Sequence, residues 1–303
     1  MCSAQGEATQ LTAQPERPAT IAGSGPDTRR PLVRFPAGAW DCHAHVFGPQ
    51  DRFPYLPNAA YIPPDATPQD YARMLTTIGC RRAVLVQPSV YGTDNRCMVA
   101  AMNSGVFDFR GVAVIEETIG DAELEALHRA GVRGVRINVA SKTAGLTMEQ
   151  APRLAARIKT LGWHLQFFLR IGESPGFGEQ IARLPVPCVI DHFAHVRAAE
   201  GMRSRGFQAL LRLARLEHVW FKLIGPYRIS TQWPLYPDVA PLARALVTAA
   251  PDRCVWGTDW PHPHAAHMPN DGDLADALGE WFPDAAVRHA LLVENPARLY
   301  DFA

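Results

Sequence analysis

The stretch 39-AWDCHAHVF-47 alternates apolar and polar residues, the pattern of a strand with one buried face. Read as extended chain, it places Asp41, His43 and His45 on one face, with Cys42 and Ala44 on the other. Further short apolar runs follow: 82-RAVLVQP-88, 110-RGVAVIE-116, 132-VRGVRINV-139, 163-WHLQFFL-169, 187-PCVIDHF-193, 219-VWFKLI-224 and 254-CVWGTD-259. Between them lie segments of helical pattern at 68–79, 95–105, 121–131, 148–162, 206–217 and 239–250. Several end in Gly just before the next strand, as helices do at a left-handed C-terminal cap. This alternation predicts an α/β chain folded as a closed (β/α)8 barrel, with some distortion allowed, over an open doubly wound sheet. No Gly-x-Gly-x-x-Gly follows the first strand, which removes the main support for a dinucleotide-binding sheet.

The predicted barrel occupies residues 37–303 as one domain. Residues 1–36 are rich in Ala, Thr, Pro, Gly and Gln and carry no periodicity, so a flexible or surface-draped N-terminal tail is expected there. Arg29-Arg30 hints at a twin-arginine export signal, but Pro31 and its successors supply no apolar segment behind it.

The chain has 303 residues with 30 basic and 30 acidic side chains, and this balance argues against nucleic acid or an anionic membrane as partner. No apolar run reaches the ~18–20 residues of a membrane span. The six cysteines lie far apart without Cys-x-x-Cys, so neither a zinc ribbon nor a disulfide framework is indicated, and a cytoplasmic place is expected. Nothing here sets the oligomeric state, and a homo-oligomer is compatible with the sequence.

Polar and ionisable residues collect at the C-terminal ends of the predicted strands, where barrel enzymes build their sites. Strand 1 carries His43 and His45, and strand 2 leads into Ser89 and Tyr91. Strand 4 offers Arg136 and Asn138, strand 6 ends in Asp191-His192, strand 7 carries Lys222, and strand 8 ends at Asp259. His-x-His on one strand face sets two imidazoles ~6.5–7 Å apart, close enough to share a metal or to grip one carbonyl oxygen. Alone, the pair reads equally well as core histidines bonded to backbone. His192 and Asp259 at neighbouring strand ends favour an active site. His164 shares the inward face of strand 5 but stands at its N-terminal end, and is read as structural.

The ordered set 41-DCHAHVFGP-49, 53-FPYLPNAAYIPPDATPQDY-71, 87-QPSVYGTDN-95, 131-GVRGVRIN-138, 163-WH-164, 191-DH-192, 222-KLIGPYR-228, 256-WGTDWPHP-263 and 295-NPARLY-300 resembles the amidohydrolase superfamily. The branch it is most similar to contains 2-pyrone-4,6-dicarboxylate lactonase. The resemblance covers nearly the whole chain after the tail. It implies a lactone-opening hydrolase in aromatic-compound catabolism in which Asp259 activates water and His43, His45 and His192 polarise the carbonyl. It further implies that Ser89, Arg136 and Arg228 hold substrate carboxylates and that no metal cofactor is required. Three positions depart from the pattern: Lys142 stands where an Arg is usual, His264 where an Asn is, and Phe168 where an aromatic hydroxyl is. These departures leave the substrate open among 2-pyrone-4,6-dicarboxylate-like lactones, muconolactones and sugar-acid lactones.

Ester hydrolysis needs an activated water, a polarised carbonyl and charge stabilisation for the oxyanion. An ordinary Asp is ionised at neutral pH, so Asp259 can take a proton from water. Arginines recognise carboxylates through paired N–H groups, which suits Arg136 and Arg228, with Lys142 or Lys222 nearby. Arg228 and Lys142 read alternatively as solvated loop charges. Tyr91, His262 and His264 follow strands 2 and 8 and are further candidates for substrate contact. Two other readings stay open: a zinc hydrolase or decarboxylase holding one ion at His43, His45 and Asp259, and a barrel that binds a small molecule without catalysis.

Overall fold

A computed structural model describes residues 18–25, 27–140 and 145–300. Eight strands pair in chain order, all parallel: β1 (Trp40–Ala44), β2 (Arg82–Val86), β3 (Asp108–Ala113), β4 (Val132–Asn138), β5 (His164–Phe168), β6 (Cys188–Ile190), β7 (Val219–Leu223) and β8 (Cys254–Trp256). After the strands come, in order, α1 (Pro68–Ile78), α2 (Arg96–Met102), α3 (Asp121–Arg129), α4 (Ala151–Ile158), α5 (Phe177–Ile181), α6 (Arg205–Leu213), α7 (Ala240–Ala249) and α8 (Asp271–Trp281). This is the (β/α)8 barrel that the alternation predicts.

Local chemistry sets the ends of α1. The Thr67 hydroxyl accepts from the Asp70 amide, the Asp70 carboxylate accepts from the Thr67 amide, and Pro68 opens the first turn. Gly79 then closes the helix at φ 92. The sequence pattern does not mark α5 and α8. The first is only five residues long, and α8 carries Gly272, Gly279 and three aspartates, which lower its helix propensity. Burial of Leu274, Leu278 and Trp281 against the barrel supplies what propensity does not.

No regular ladder joins β8 to β1. The barrel closes instead through two backbone bonds, Asp259 N–H to His43 O at 2.9 Å and His45 N–H to Trp260 O at 2.7 Å. The Asp41 carboxylate reinforces the seam by accepting from the Thr258 amide at 2.9 Å and hydroxyl at 2.5 Å. Gly257 permits this approach, because a Cβ there would lie 2.7 Å from the Asp41 carboxylate and from the His43 nitrogen.

Strict alternation along β1 fails. Pairing with β2 slips between Asp41 and Ala44, a bulge that adds one residue to β1. Trp40 and Cys42 therefore pack in the barrel interior with Val84, Val112, Val189 and Val255, and His43 also points inward. Asp41 does not share the histidines' face as expected. It turns to the seam and the helix layer, where Tyr71 of α1 is a further partner.

The segment Asn295–Tyr300 plugs the N-terminal mouth of the barrel. Asn295 donates to the Pro251 and Cys254 carbonyls at 2.9 and 2.8 Å, and the Tyr300 ring stacks on Trp40 at 6.0 Å and meets His164 at 5.4 Å. Before the barrel, Arg29 forms ion pairs with Asp273 and Asp276 of α8, and Phe35 packs edge-on against Trp256. Ala19–Thr20 pairs with Tyr61–Ile62 in a short parallel ladder that backs the loop over the barrel's C-terminal mouth. No helix among the described residues is long and apolar enough to cross a membrane.

Candidate active site

The C-terminal ends of the strands enclose a cavity of about 370 Å³. Its lining includes His45, Tyr61, Ser89, Arg136, Asn138, Phe168, His192, Arg228 and His264. His43 and Asp259 lie directly behind this wall, both fully buried.

Asp259 sits at φ 66, just past β8, and its two oxygens have different surroundings. Oδ2 accepts from the Tyr227 hydroxyl at 2.5 Å and from Arg228 Nε at 2.8 Å. Oδ1 has no hydrogen-bond partner among the described residues and lies 3.6 Å from both His43 Nε2 and His45 Nε2. Burial alone would raise its pKa, but the Arg228 guanidinium against Oδ2 outweighs it and holds the carboxyl well below the usual range. Asp259 is thus ionised at neutral pH.

The histidines differ in what they can offer. His45 Nδ1 lies 2.7 Å from the Val86 carbonyl, which can only accept, so Nδ1 carries a proton, and in the ring's neutral form Nε2 turns a lone pair toward Asp259. His192 follows β6 in a left-handed turn and brings its Nδ1 to 3.9 Å from Asp259 Oδ2. Burial depresses the pKa of His43 and His192 well below the ordinary value, with Lys222 adding to the effect at His43, so both rings are neutral.

Arg136 stands over the Phe168 ring at 4.9 Å, with Nη1 3.4 Å from the Gln87 carbonyl and Nε 3.8 Å from Asp191. Arg228 is no solvated loop charge: besides Asp259 it donates to the Pro263 carbonyl at 2.9 Å. His264 lines the cavity with its ring 4.4 Å from that of Tyr61. Tyr91 and His262 stand apart from the cavity lining. The Tyr91 hydroxyl accepts from the Gly48 amide at 2.8 Å, and His262 Nε2 faces Asp271 at 3.1 Å. Lys142 lies outside the described residues. Lys222 is buried beneath His43 rather than beside the cavity, and burial lowers its pKa to about 8, still an ammonium at neutral pH.

Sequence reading did not single out Tyr227, although 225-GPYR-228 places it beside Arg228. Its contact depends on how the loop after β7 turns, which no spacing rule reports.

The sequence profile of amidohydrolases matches residues 40–302. This chain belongs to the amidohydrolase family. Among its relatives, the 2-pyrone-4,6-dicarboxylate hydrolase of Comamonas testosteroni is 40% identical over 89% of this chain and 92% of that protein. The 4-sulfomuconolactone hydrolase of Rhizobium radiobacter is 39% identical over 91% of this chain and 95% of its own length. The crystal structure of a putative 2-pyrone-4,6-dicarboxylic acid hydrolase from Pseudomonas putida superposes with a TM-score of 0.76 at 31% identity, covering 87% of this chain and 97% of that one.

An amidohydrolase of this architecture raises the question of a divalent ion. The ligand atoms of His43, His45 and Asp259 lie within 4.8 Å of one another, as do those of His43, Asp191 and His192. His43 Nε2 and Asp259 Oδ1 are buried and unpartnered, and the Val86 carbonyl orients His45 in the way second neighbours orient metal-bound imidazoles. In donor type and spacing, the first group fits one ion.

Proposed function

We propose that this amidohydrolase opens a small carboxylated lactone by adding water to the ring ester, without requiring a metal. One observation carries the reading: Asp259 Oδ1, directly behind the cavity wall, lies 3.6 Å from Nε2 of His45, which lines that wall and is an acceptor in its neutral form. A water donating one hydrogen to each would satisfy both and keep a lone pair for attack.

As that lone pair bonds to the carbonyl carbon, the water's proton passes to Asp259 Oδ1 and the carbonyl π pair moves onto oxygen. Asp259 is a weak base at rest, but attack makes the water proton acidic enough to transfer. His192, whose ring lines the cavity, is the imidazole placed to present an N–H group to the oxyanion, and His43 stands behind Asp259. Collapse breaks the ring C–O bond, and the proton held on Asp259 moves to the departing ring oxygen. The product is an open-chain acid.

Cavity size and charge support the substrate class. About 370 Å³ suits a single substituted ring, and Arg136 with Ser89 offers donors for a carboxylate. The similarity to hydrolases named for a pyrone dicarboxylate and for a sulfomuconolactone points to anionic lactones. A cytoplasmic place suits the five buried unpaired thiols among the described residues.

The second reading is a metal hydrolase, favoured by the fit at His43, His45 and Asp259. When bound there, an ion would lower the pKa of its water and polarise the carbonyl. Proton release from a panel of carboxylated and sugar-acid lactones, measured with chelator-treated enzyme, separates the two. The proposal expects turnover without added metal, and at least ~10³-fold less from folded Asp259→Asn. Turnover that appears only with zinc would move the assignment to the metal hydrolase. Silence under both conditions would remove the lactone assignment.

A further inference from the structure

The catalytic steps leave one buried charge unused. Lys222, on the inward face of β7, lies 2.9 Å from the Cys42 carbonyl, 2.7 Å from Gln166 Oε1 and 3.4 Å from His43 Nδ1. An ammonium has three donors and no acceptor. Two N–H groups are committed to the Cys42 and Gln166 oxygens, and His43 Nδ1 is the next atom within reach. Gln166 has no freedom to alter this. Its Oε1 receives Lys222, so its amide nitrogen faces Asp191 Oδ2 at 2.9 Å.

The two neutral forms of His43 differ sharply here. With the proton on Nδ1, the ring would oppose N–H to the ammonium, and Nε2 would turn a third lone pair toward Asp259 Oδ1 beside that of His45. Asp191 Oδ1 could accept that Nδ1 proton from 3.6 Å, but it lies farther from Nδ1 than Lys222 does, and Arg136 and Lys222 already stand about its carboxylate at 3.8 and 4.0 Å. With the proton on Nε2, Nδ1 accepts from Lys222 and Nε2–H faces Asp259 Oδ1 at 3.6 Å. Lys222 and Asp259 Oδ1 then each meet a complementary group, while Asp191 Oδ1 stands 3.6 Å from the bare Nδ1 under the ammonium of Lys222.

We propose that Lys222 is a positioning residue whose ammonium holds His43 in the Nε2–H form, aimed at Asp259 and the reacting water, and whose charge opposes a divalent ion at His43, His45 and Asp259. The inference rests on the reading in which Asp259 and His45 hold the water. It explains how a site with a fitting set of ligand atoms works through protons.

Two measurements on the full chain test it without any lactone, so their failure is distinct from failure of the proposed reaction. In the first, metal-free wild-type protein with ¹⁵N-labelled histidine is examined by NMR, the His43 ring being assigned by its loss in His43→Gln. A protonated Nε2 and a bare Nδ1 are expected, and a protonated Nδ1 would overturn the proposal. In the second, equilibrium dialysis compares zinc binding to wild type and to Lys222→Met. Removing the charge is expected to tighten binding at one ion per chain by roughly tenfold or more. A merely structural lysine would leave affinity unchanged or weaken it on removal, and either result would overturn the charge argument. If Lys222→Met does not fold, the wild-type spectrum decides alone.

Discussion

The two oxygens of Asp259 face different neighbours, and the difference sets what each can do. Oδ2 is held by Tyr227 and Arg228, which fix the carboxylate plane, while Oδ1 has no hydrogen-bond partner among the described residues. Hydrogen bonds to a charged acceptor contribute about 1.5–3 kcal/mol each. Tyr227→Phe is therefore expected to lower kcat by roughly 10–100-fold, through loss of orientation. Losing a donor to the ionised form also raises the Asp259 pKa, so the acid limb of the pH–rate profile should move upward. A kcat–pH profile of the variant checks both expectations, and an unchanged profile would mean that the short contact does not govern the base.

Three successive strand ends are held by backbone rather than by side-chain bonding alone. His192, Phe193, Ala194 and His195 all lie in the left-handed region, at φ 48 to 56, and Asp259, His262 and His264 share it after β8. Each such residue costs about 1–2 kcal/mol, and such strain collects at functional sites. Between them Gly225, at φ 59, lets His192 pass: a Cβ there would sit 2.8 Å from His192 Nδ1 and 3.2 Å from Arg228 Cδ. Gly225→Ala is expected to displace both side chains and to cut kcat by ~10²-fold. Gly162→Ala is the control, since Gly162 has φ 68 but nothing within 4 Å of its Cβ position. It should lose about 1 kcal/mol of stability and no kcat. Equal kcat losses in the two variants would show that backbone strain, not displacement of His192, is responsible.

Across the whole molecule, the polar groups of the interior form a column from the plug to the site: Tyr300, His164, Lys222 with Gln166, then His43. Burial pushes the His164 pKa down to about 3. The unfolded chain then binds a proton near pH 6.5 that the folded chain refuses, so this contribution is intact above pH 6.5 and is lost as pH falls toward 3. The ring is fully buried, and the shift corresponds to about 5 kcal/mol over that window. His164→Phe should flatten the acid side of the stability–pH curve measured by urea unfolding. A variant curve parallel to wild type would place the acid sensitivity elsewhere.

Barrel class was legible in the sequence because parallel strands buried on both faces read as short apolar runs, and helices between them announce themselves by period and by glycine caps. The positions of His43, His45, His192 and Asp259 were legible too, since residues at parallel strand ends must converge on one mouth. Short-range pattern has no access to four other features. The β1 bulge that separates Asp41 from the histidines depends on pairing with a strand distant in sequence, and so on which neighbour the added residue must pass. The proton position on His45 is set by the Val86 carbonyl, forty-one residues away. Tyr227 reaches Asp259 through the turn of a loop, and Lys222 meets His43 across the barrel interior, 179 residues apart. Sequence determined which groups are available and at which end of the barrel they gather. Tertiary structure decided which of them donate and which accept, because hydrogen-bond roles belong to pairs of atoms brought together only when the barrel closes.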